Sequence, residues 1–286
     1  MRTRKLCLAL LVALVSVGCG ESDADDDLRF SENSPMYGIQ QEGVLRVAVP
    51  DIPPFGSPDG SEGFSSDLGR QIAADLQVEA EIVTADSDEM GALTAYGIVD
   101  VGFPLTPVTY GMLRDRAPNA GYAFASPYYI AHQRLLVPEE STVEQLADLE
   151  GKRICSFIYE RTQVDVSRLI DAEVIEATSI DECRRMLGAG KVDAITAIDS
   201  LLASTRIALQ KKGDFVIVGD QLNTEGYAAV TLPGGMATYV IGELNDIEAD
   251  GIWLELYNRW LEPHLGPVPG PPDLTLQDAA SLFPPE

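Results

Sequence analysis

The sequence predicts an α/β protein with two lobes, each a mixed, mostly parallel sheet flanked by helices. Segments with the apolar spacing of strands alternate along the chain with segments that have the spacing of helices. A β-α-β-α-β order of this kind places helices on the faces of a largely parallel sheet. The pattern restarts after Pro138, and 286 residues, of which 45% are hydrophobic, are enough for two such units.

The first unit opens with the alternating pattern of residues 44–49, which stops at Pro50. After a turn-rich segment, residues 67–76 carry apolar side chains at helical spacing, which predicts a helix. The remaining elements of this unit are predicted as strands at 80–84, 99–103 and 128–137 and a helix at 87–96.

The second unit repeats the alternation, and after it the chain returns to the first. Its strands are predicted at residues 152–157, 174–176, 193–197 and 215–218, and its helices at 161–170, 180–189 and 200–210. The return is predicted as an extended segment at 227–232 and one or two helices at 242–261.

Two crossings between the units divide the chain. We expect lobe 1 at residues 43–137 and 225–262 and lobe 2 at residues 138–224, with hinges near 137–139 and 224–226. Residues 263–286 contain seven prolines and no repeat, so they are predicted to form a surface strap.

The chain is strongly acidic, with 45 Asp and Glu against 20 Lys and Arg and a net charge of −25. A field of this sign repels phosphate, so nucleic acids and anionic lipid headgroups are poor electrostatic partners. It favours solubility and cationic partners, although an acidic surface without a specific partner explains the same composition.

The N-terminus has the pattern of a secretory signal peptide over residues 1–18, a basic start followed by an apolar run that is too short to span a membrane. The end of this run resembles the bacterial lipobox, which makes Cys19 the expected lipidation site. Ser16 stands where that motif usually has leucine, and plain secretion is the alternative. We expect an exported protein, anchored by Cys19 to the outer face of the cell membrane through an acidic tether at residues 19–42.

Two cysteines, Cys155 and Cys183, remain in the globular part. An even pair in an exported protein is typical of a disulfide, although a free thiol paired with a histidine is the alternative. His132 and His264 are the only histidines and are far apart in sequence, so no metal site is expected.

Several ordered segments resemble the family 3 extracellular solute-binding proteins, the receptors of polar amino-acid ABC transporters, over residues 43–262. The segments are 45–49 (LRVAV) with 53–55 (PPF), 124–129 (FASPYY) with Gln133, 149–156 (LEGKRICS), 190–196 (GKVDAIT) and Tyr227 with 232–234 (LPG). The resemblance implies a two-lobed, periplasmic-binding-protein-like fold of type II. The cysteines and the segments around them are most similar to the glutamate-binding branch, which carries a cysteine pair at matching places.

The resemblance also implies a site for an amino acid between the lobes. Arg114 or Arg116 is expected to bind the carboxylate, or Arg161 in the turn that contains Tyr159 and Thr162, since a guanidinium holds a carboxylate in two places. Asp199 is expected to bind the ammonium group, with helix capping as its alternative role. The remaining candidates, at the strand ends of lobe 1, are Asp51, Phe103, Leu105, Thr106 and Thr109.

The function implied is therefore capture of a small polar solute, an amino acid or another carboxylate, for delivery to ABC permease subunits. A sensor or orphan receptor on the same scaffold is the alternative, and a dehydratase-type enzyme is a further one, because fold alone does not determine function. We expect a monomer with no catalytic residues and no cofactor.

Overall fold

The computed structural model describes residues 29–109, 111–157, 163–268 and 270–282. Within them the strands are β1 (Val44–Val49), β2 (Glu79–Thr84), β3 (Val101–Gly102), β4 (Ala123–Ala131), β5 (Gln133–Pro138), β6 (Arg153–Ser156), β7 (Glu173–Glu176), β8 (Ala194–Ile198), β9 (Phe215–Val218) and β10 (Glu225–Thr231). The α-helices are α1 (Pro35–Glu42), α2 (Phe64–Asp75), α3 (Ser87–Ala95), α4 (Ala117–Ala120), α5 (Ile180–Leu187), α6 (Asp199–Leu209), α7 (Gly235–Ala249), α8 (Ile252–Trp260), α9 (Glu262–Leu265) and α10 (Leu276–Ser281).

The first sheet has the strand order β2-β1-β3-β10-β4, with β1, β2 and β3 parallel and β10 antiparallel to both of its neighbours. Leu45 and Val47 on its second strand, β1, are buried completely, because helices cover the sheet. Helix α8 is held to it by Trp253, whose indole N–H donates to the Tyr128 carbonyl at 2.8 Å. This sheet and its helices form lobe 1.

The second sheet has the order β7-β6-β8-β5-β9, with β6, β7 and β8 parallel and β5 antiparallel to β8 and β9. Every residue of its central strand β8 is buried. The predicted disulfide is confirmed: Cys155 on β6 and Cys183 on α5 are bonded, with their Cα atoms 5.4 Å apart, and both are fully buried. This sheet and its helices form lobe 2.

The first crossing lies at His132, so the predicted strand 128–137 is divided into β4 and β5 and the predicted lobe boundary at 137 is displaced. The run from Leu135 to Val137 belongs to lobe 2, because β5 pairs there with β8 on one side and β9 on the other. The second crossing runs through residues 219–224, between β9 and β10.

Residues 35–42, predicted as part of the acidic tether, form helix α1 instead. Met36 and Ile39 lie on one face and are buried against lobe 1. Gly43 ends the helix with a φ of 73°, a left-handed conformation that glycine adopts at little cost, and its N–H donates to the Ile39 carbonyl.

The remaining predictions at the chain ends have different outcomes. Residues 276–281 of the predicted strap form helix α10, and Ala279 and Ala280 are buried against lobe 1. Within the predicted helix 161–170, the described part has one 3₁₀ turn at Val166–Arg168. The predicted signal peptide and Cys19 lie outside the described residues. Among the described helices, none combines the length and the hydrophobicity that a membrane span requires.

Removing the disulfide by the double substitution Cys155→Ala and Cys183→Ala is expected to lower the free energy of unfolding by about 3–4 kcal/mol, because a cross-link across 28 positions restricts the unfolded chain. Denaturant titration of the unreduced proteins measures the difference. An unchanged midpoint would show that the bond contributes nothing to stability.

Candidate functional site

A cleft of about 620 Å³ lies between the two lobes. Its lining comes from strand ends and helix starts of both sheets, as expected for ligand sites in α/β proteins. The lining residues are Ile52, Asp86, Ser87, Asp88, Glu89, Leu105, Pro107, Phe157, Gln163, Thr178, Ser179, Ile180, Asp181, Ile198, Ser200, Leu201, Glu225 and Tyr227.

The apolar part of the lining is supplied by segments that leave the strands at the cleft. Ile52 follows β1 and Leu105 follows β3 in lobe 1, while Ile198 ends β8 and Phe157 follows β6 in lobe 2. Tyr227 on β10 is buried, and its hydroxyl lies 3.5 Å from that of Ser200. The cleft therefore offers apolar contact for the carbon skeleton of a small solute.

The first turns of two helices line the cleft from opposite lobes. Ser87 at the start of α3 accepts a hydrogen bond from the Leu105 N–H at 2.9 Å, which fixes this turn to the end of β3. Ser179 caps α5 and accepts from the Glu182 N–H at 3.3 Å. Free N–H groups at helix starts favour negative charge beside them.

Carboxylates dominate the charge of the described part of the cleft lining. Asp86 and Glu89 are exposed at the start of α3, and neither has an ion-pair partner among the described residues. Asp181 pairs with Arg184 along α5 at 2.7 Å. Glu225 is 1% exposed and accepts a hydrogen bond from the Asn223 side chain at 2.9 Å. No lysine or arginine is found among the described residues of the lining.

Of the predicted residues at the strand ends of lobe 1, only Leu105 lines the cleft. Asp51 is exposed outside the lining, whereas its neighbour Ile52 lies in it. Phe103 is fully buried in the core, with its ring 5.1 Å from that of Tyr128. Thr109 accepts a hydrogen bond from the Met112 N–H at 3.3 Å and so caps the turn that follows.

The predicted arginines of lobe 1 lie on a π-helical turn, Met112–Arg116. Arg114 is exposed and forms an ion pair with Asp115 at 2.6 Å. Arg116 lines a small side pocket of about 30 Å³ together with Thr106, whose hydroxyl is buried without a hydrogen-bond partner among the described residues. Thr106, Arg114 and Arg116 do not line the cleft. Tyr159, Arg161 and Thr162 lie outside the described residues, so their roles stay predictions.

Asp199 was expected to bind the ammonium group of a ligand in the cleft, but the structure does not place it in the cleft lining. Its side chain lines a second cavity of about 440 Å³, here called the hinge cavity, with Tyr129, His132, Arg134 and Tyr257. Its neighbours Ile198 and Ser200 line the cleft instead. The reason is geometric: β8 passes into α6 here, and successive side chains point to opposite sides of the chain.

The hinge cavity holds Asp199 in an unusual electrostatic state. The carboxyl is only 4% exposed, and this burial raises its pKa to about 7, although the Tyr129 hydroxyl donates to it at 3.1 Å. Burial lowers the pKa of His132, whose Nδ1 lies 2.9 Å from the Asn223 carbonyl oxygen. Asp199 thus lies beside the crossings between the lobes and outside the lining of the cleft.

Most of the polar lining was not predicted from the sequence. The first turns of α3 and α5 directly follow β2 and β7, so the rule that ligand sites lie beyond strand ends would have identified residues 86–89 and 178–181. Glu225 carried no such signal, because it begins a strand, and only the position of β10 beside the crossing brings it to the cleft.

Known proteins resemble this chain over most of its length. The sequence profile of the bacterial extracellular solute-binding proteins, family 3, matches residues 45–263. Membrane-bound lytic murein transglycosylase F of Ectopseudomonas mendocina is 27% identical over 213 residues, which are 70% of this chain but 40% of that protein. Glutamate-binding protein GluB of Corynebacterium efficiens is 26% identical over 278 residues, 90% of this chain and 88% of that protein.

The fold has a solved counterpart. An ancestral cationic amino acid solute-binding protein superposes with a TM-score of 0.63 at 21% identity, covering 79% of this chain and 99% of the other. The predicted two-lobed fold of type II is thereby confirmed.

Replacing Asp199 with asparagine is expected to change how stability depends on pH. An unfolded aspartate deprotonates near pH 4 and Asp199 in the folded protein near pH 7, so raising the pH between these values destabilises the parent protein. The amide of the substituted side chain cannot ionise, so Asp199→Asn should be more stable above pH 7, by at most about 4 kcal/mol for a shift of about three pKa units.

Denaturant titrations from pH 4 to 8 measure this difference. Tyr129→Phe is the companion variant, because it keeps the carboxyl and removes the hydroxyl that donates to it. Its stability should fall more steeply with rising pH than that of the parent protein. Parallel profiles for Asp199→Asn and the parent would contradict the assignment.

Proposed function

Because this chain belongs to the bacterial extracellular solute-binding proteins of family 3 and is a two-lobed solute-binding receptor, we propose that its solute is a small, positively charged amino acid. The protein captures this solute outside the cytoplasm for delivery to an ABC permease. The observation that carries the proposal is the charge of the cleft, to which both lobes contribute carboxylates.

The charge argument rests chiefly on lobe 1. Asp86 and Glu89 lie within one turn of α3, both line the cleft, and their charges are not offset by an ion pair within the described chain. A cleft lined by one sign of charge concentrates the opposite ion and speeds its association. The net charge of −25 extends this attraction over the whole molecule.

The amino-acid class is supported by the family and by the shape of the cleft. GluB carries glutamate in its name, but a second carboxylate on the solute would lie among acidic side chains here. An α-carboxylate needs one cationic partner, and Arg161 is the residue that we propose for it. The apolar lining supplied by Ile52, Leu105 and Ile198 would cover the carbon chain.

Binding is proposed to work by closure of the two lobes. The crossings at His132 and residues 219–224 form the hinge, and the first turns of α3 and α5 are brought towards each other. A cationic solute between them replaces repulsion between carboxylates by attraction, which gives the closed form the higher affinity. We propose binding without chemical turnover, so the solute should be recovered unchanged.

A thermal-shift screen of the exported protein tests the class of solute. L-arginine and L-lysine are expected to raise the melting temperature, since a ligand at 100 times its Kd adds about 2.7 kcal/mol of stability. L-glutamate and L-glutamine are expected to have no effect. Stabilisation by L-glutamate alone would contradict the proposal.

Neutralising Asp86 and Glu89 together (Asp86→Asn with Glu89→Gln) should weaken binding of the active cationic amino acid at least about ten-fold, or about 1.4 kcal/mol. The loss should shrink at high salt, because both side chains are exposed. The matched control is Glu255→Gln, an exposed carboxylate on α8 outside the cleft lining. Equal affinities for the double variant and the control would show that the rim charges do not select the solute.

We also propose that Cys19 carries the lipid anchor. Two acyl chains on one cysteine are enough for stable attachment, so Cys19→Ala should release the protein into the medium. Cys7→Ala, in the predicted leader, is the matched control and should remain with the membrane fraction on immunoblots. Retention of Cys19→Ala at the membrane would contradict lipidation.

A further inference from the structure

Helix α9 reaches from lobe 1 to lobe 2. It directly follows α8, which is fixed to lobe 1 by the Trp260 indole N–H donating to Asp67 at 2.8 Å. The carbonyls of α9 then accept hydrogen bonds from lobe 2. Arg206 on α6 donates to the carbonyls of Pro263 at 2.8 Å and His264 at 2.9 Å.

A second arginine of lobe 2 supports the same contact. Arg134 on β5 donates to the Leu265 carbonyl at 3.2 Å. The Arg206 guanidinium is itself held within lobe 2, because its Nε donates to the Phe215 carbonyl at 2.7 Å. Arg134 and Arg206 of lobe 2 therefore both donate hydrogen bonds to a helix that follows lobe 1 directly.

After α9 the chain returns to lobe 1. The Tyr257 hydroxyl donates to the Gly266 carbonyl at 3.0 Å, and α10 buries Ala279 against β10. The fit there is close, since a Cβ at Gly226 would lie 2.7 Å from the Cβ of Ala279. We call the segment from α9 to α10 the C-terminal link. Both of its ends are attached to lobe 1, and its first helix, α9, is hydrogen bonded to lobe 2.

The C-terminal link lies on the side of the crossings opposite the cleft. Its residues Leu265, Pro267 and Val268 line the hinge cavity together with Asp199 and Thr224. The sequence neighbours of those two residues, Ser200 and Glu225, line the cleft. Between the two spaces stand the rings of Tyr129 and Tyr227, 5.9 Å apart.

From this geometry we infer that the C-terminal link is a third connection between the lobes and that it opposes closure of the cleft. A rotation about the crossings that narrows the cleft widens the opposite side, where α9 meets Arg134 and Arg206. Closure must then stretch or break the three hydrogen bonds to α9. The link sets how tightly a solute must bind before the lobes close. The inference rests on the proposed function, because it requires that the lobes close on a solute.

Cysteine trapping measures closure without a solute. Glu89→Cys and Asp181→Cys place one thiol on each rim of the cleft, at the first turns of α3 and α5. The fraction of the disulfide between positions 89 and 181 is followed over time after addition of copper phenanthroline, by mass spectrometry of the unreduced digest. Its rate of formation reports how often the lobes approach each other.

Arg206→Gln in this background should speed trapping at least about three-fold, and Arg134→Gln, which loosens the link from a different strand, should also speed it. The matched control is Arg168→Gln, an arginine of lobe 2 that is 83% exposed and pairs with Asp165. Its trapping rate should equal that of the parent. Denaturant midpoints show whether each variant remains folded.

The outcomes separate the inference from the proposed function. If neither Arg206→Gln nor Arg134→Gln is trapped faster than the parent, the inference is overturned and the receptor function is left intact. A complete absence of trapping in all the proteins, parent included, would show that the lobes do not close, which contradicts the mechanism of binding proposed above and the inference with it.

Discussion

The rest of the structure depends on one constraint: the backbone must keep its hydrogen bonds where it passes between the two sheets. The fully buried residue Gln133 provides these hydrogen bonds. Its N–H donates to the Asn223 side chain at 2.6 Å, its carbonyl accepts from Leu222 at 3.0 Å, and its side-chain amide bonds both the N–H and the carbonyl of Val164. An unpaired buried group costs about 1–3 kcal/mol, so this one residue ties both crossings to the segment that enters the cleft.

A crossing fixed in this way has two chemically different sides. On one side the chain presents Ser200 and Glu225 to the cleft, whose described lining contains several acidic side chains. On the other it presents Asp199 to the hinge cavity, where burial of the carboxyl raises its pKa to about 7. Two acidic residues close to the same crossings therefore lie in different surroundings: Glu225 lines the cleft, while Asp199 lines the hinge cavity.

The amino-acid sequence predicts what depends on local spacing. Apolar periodicity indicated both sheets, and residue content indicated the Cys155–Cys183 bond, because strands, helices and a cysteine pair leave repeating or compositional signals. Short elements left weaker signals: α1 was assigned to the tether because an acidic, polar segment precedes it, although Met36 and Ile39 share one helical face.

Only the tertiary structure decided which side of the crossing each residue faces. The break at His132 arises because β4 and β5 pair in different sheets, and an apolar run gives no sign of a change of partner. The break at His132 and the turn from β8 into α6 direct Ile198 to the cleft and Asp199 away from it. The two residues are one position apart, which is a difference that apolar periodicity cannot resolve. The sequence by itself therefore determined the two α/β lobes, their family and their disulfide, whereas the geometry of the crossings determined which of the charged residues line the cleft.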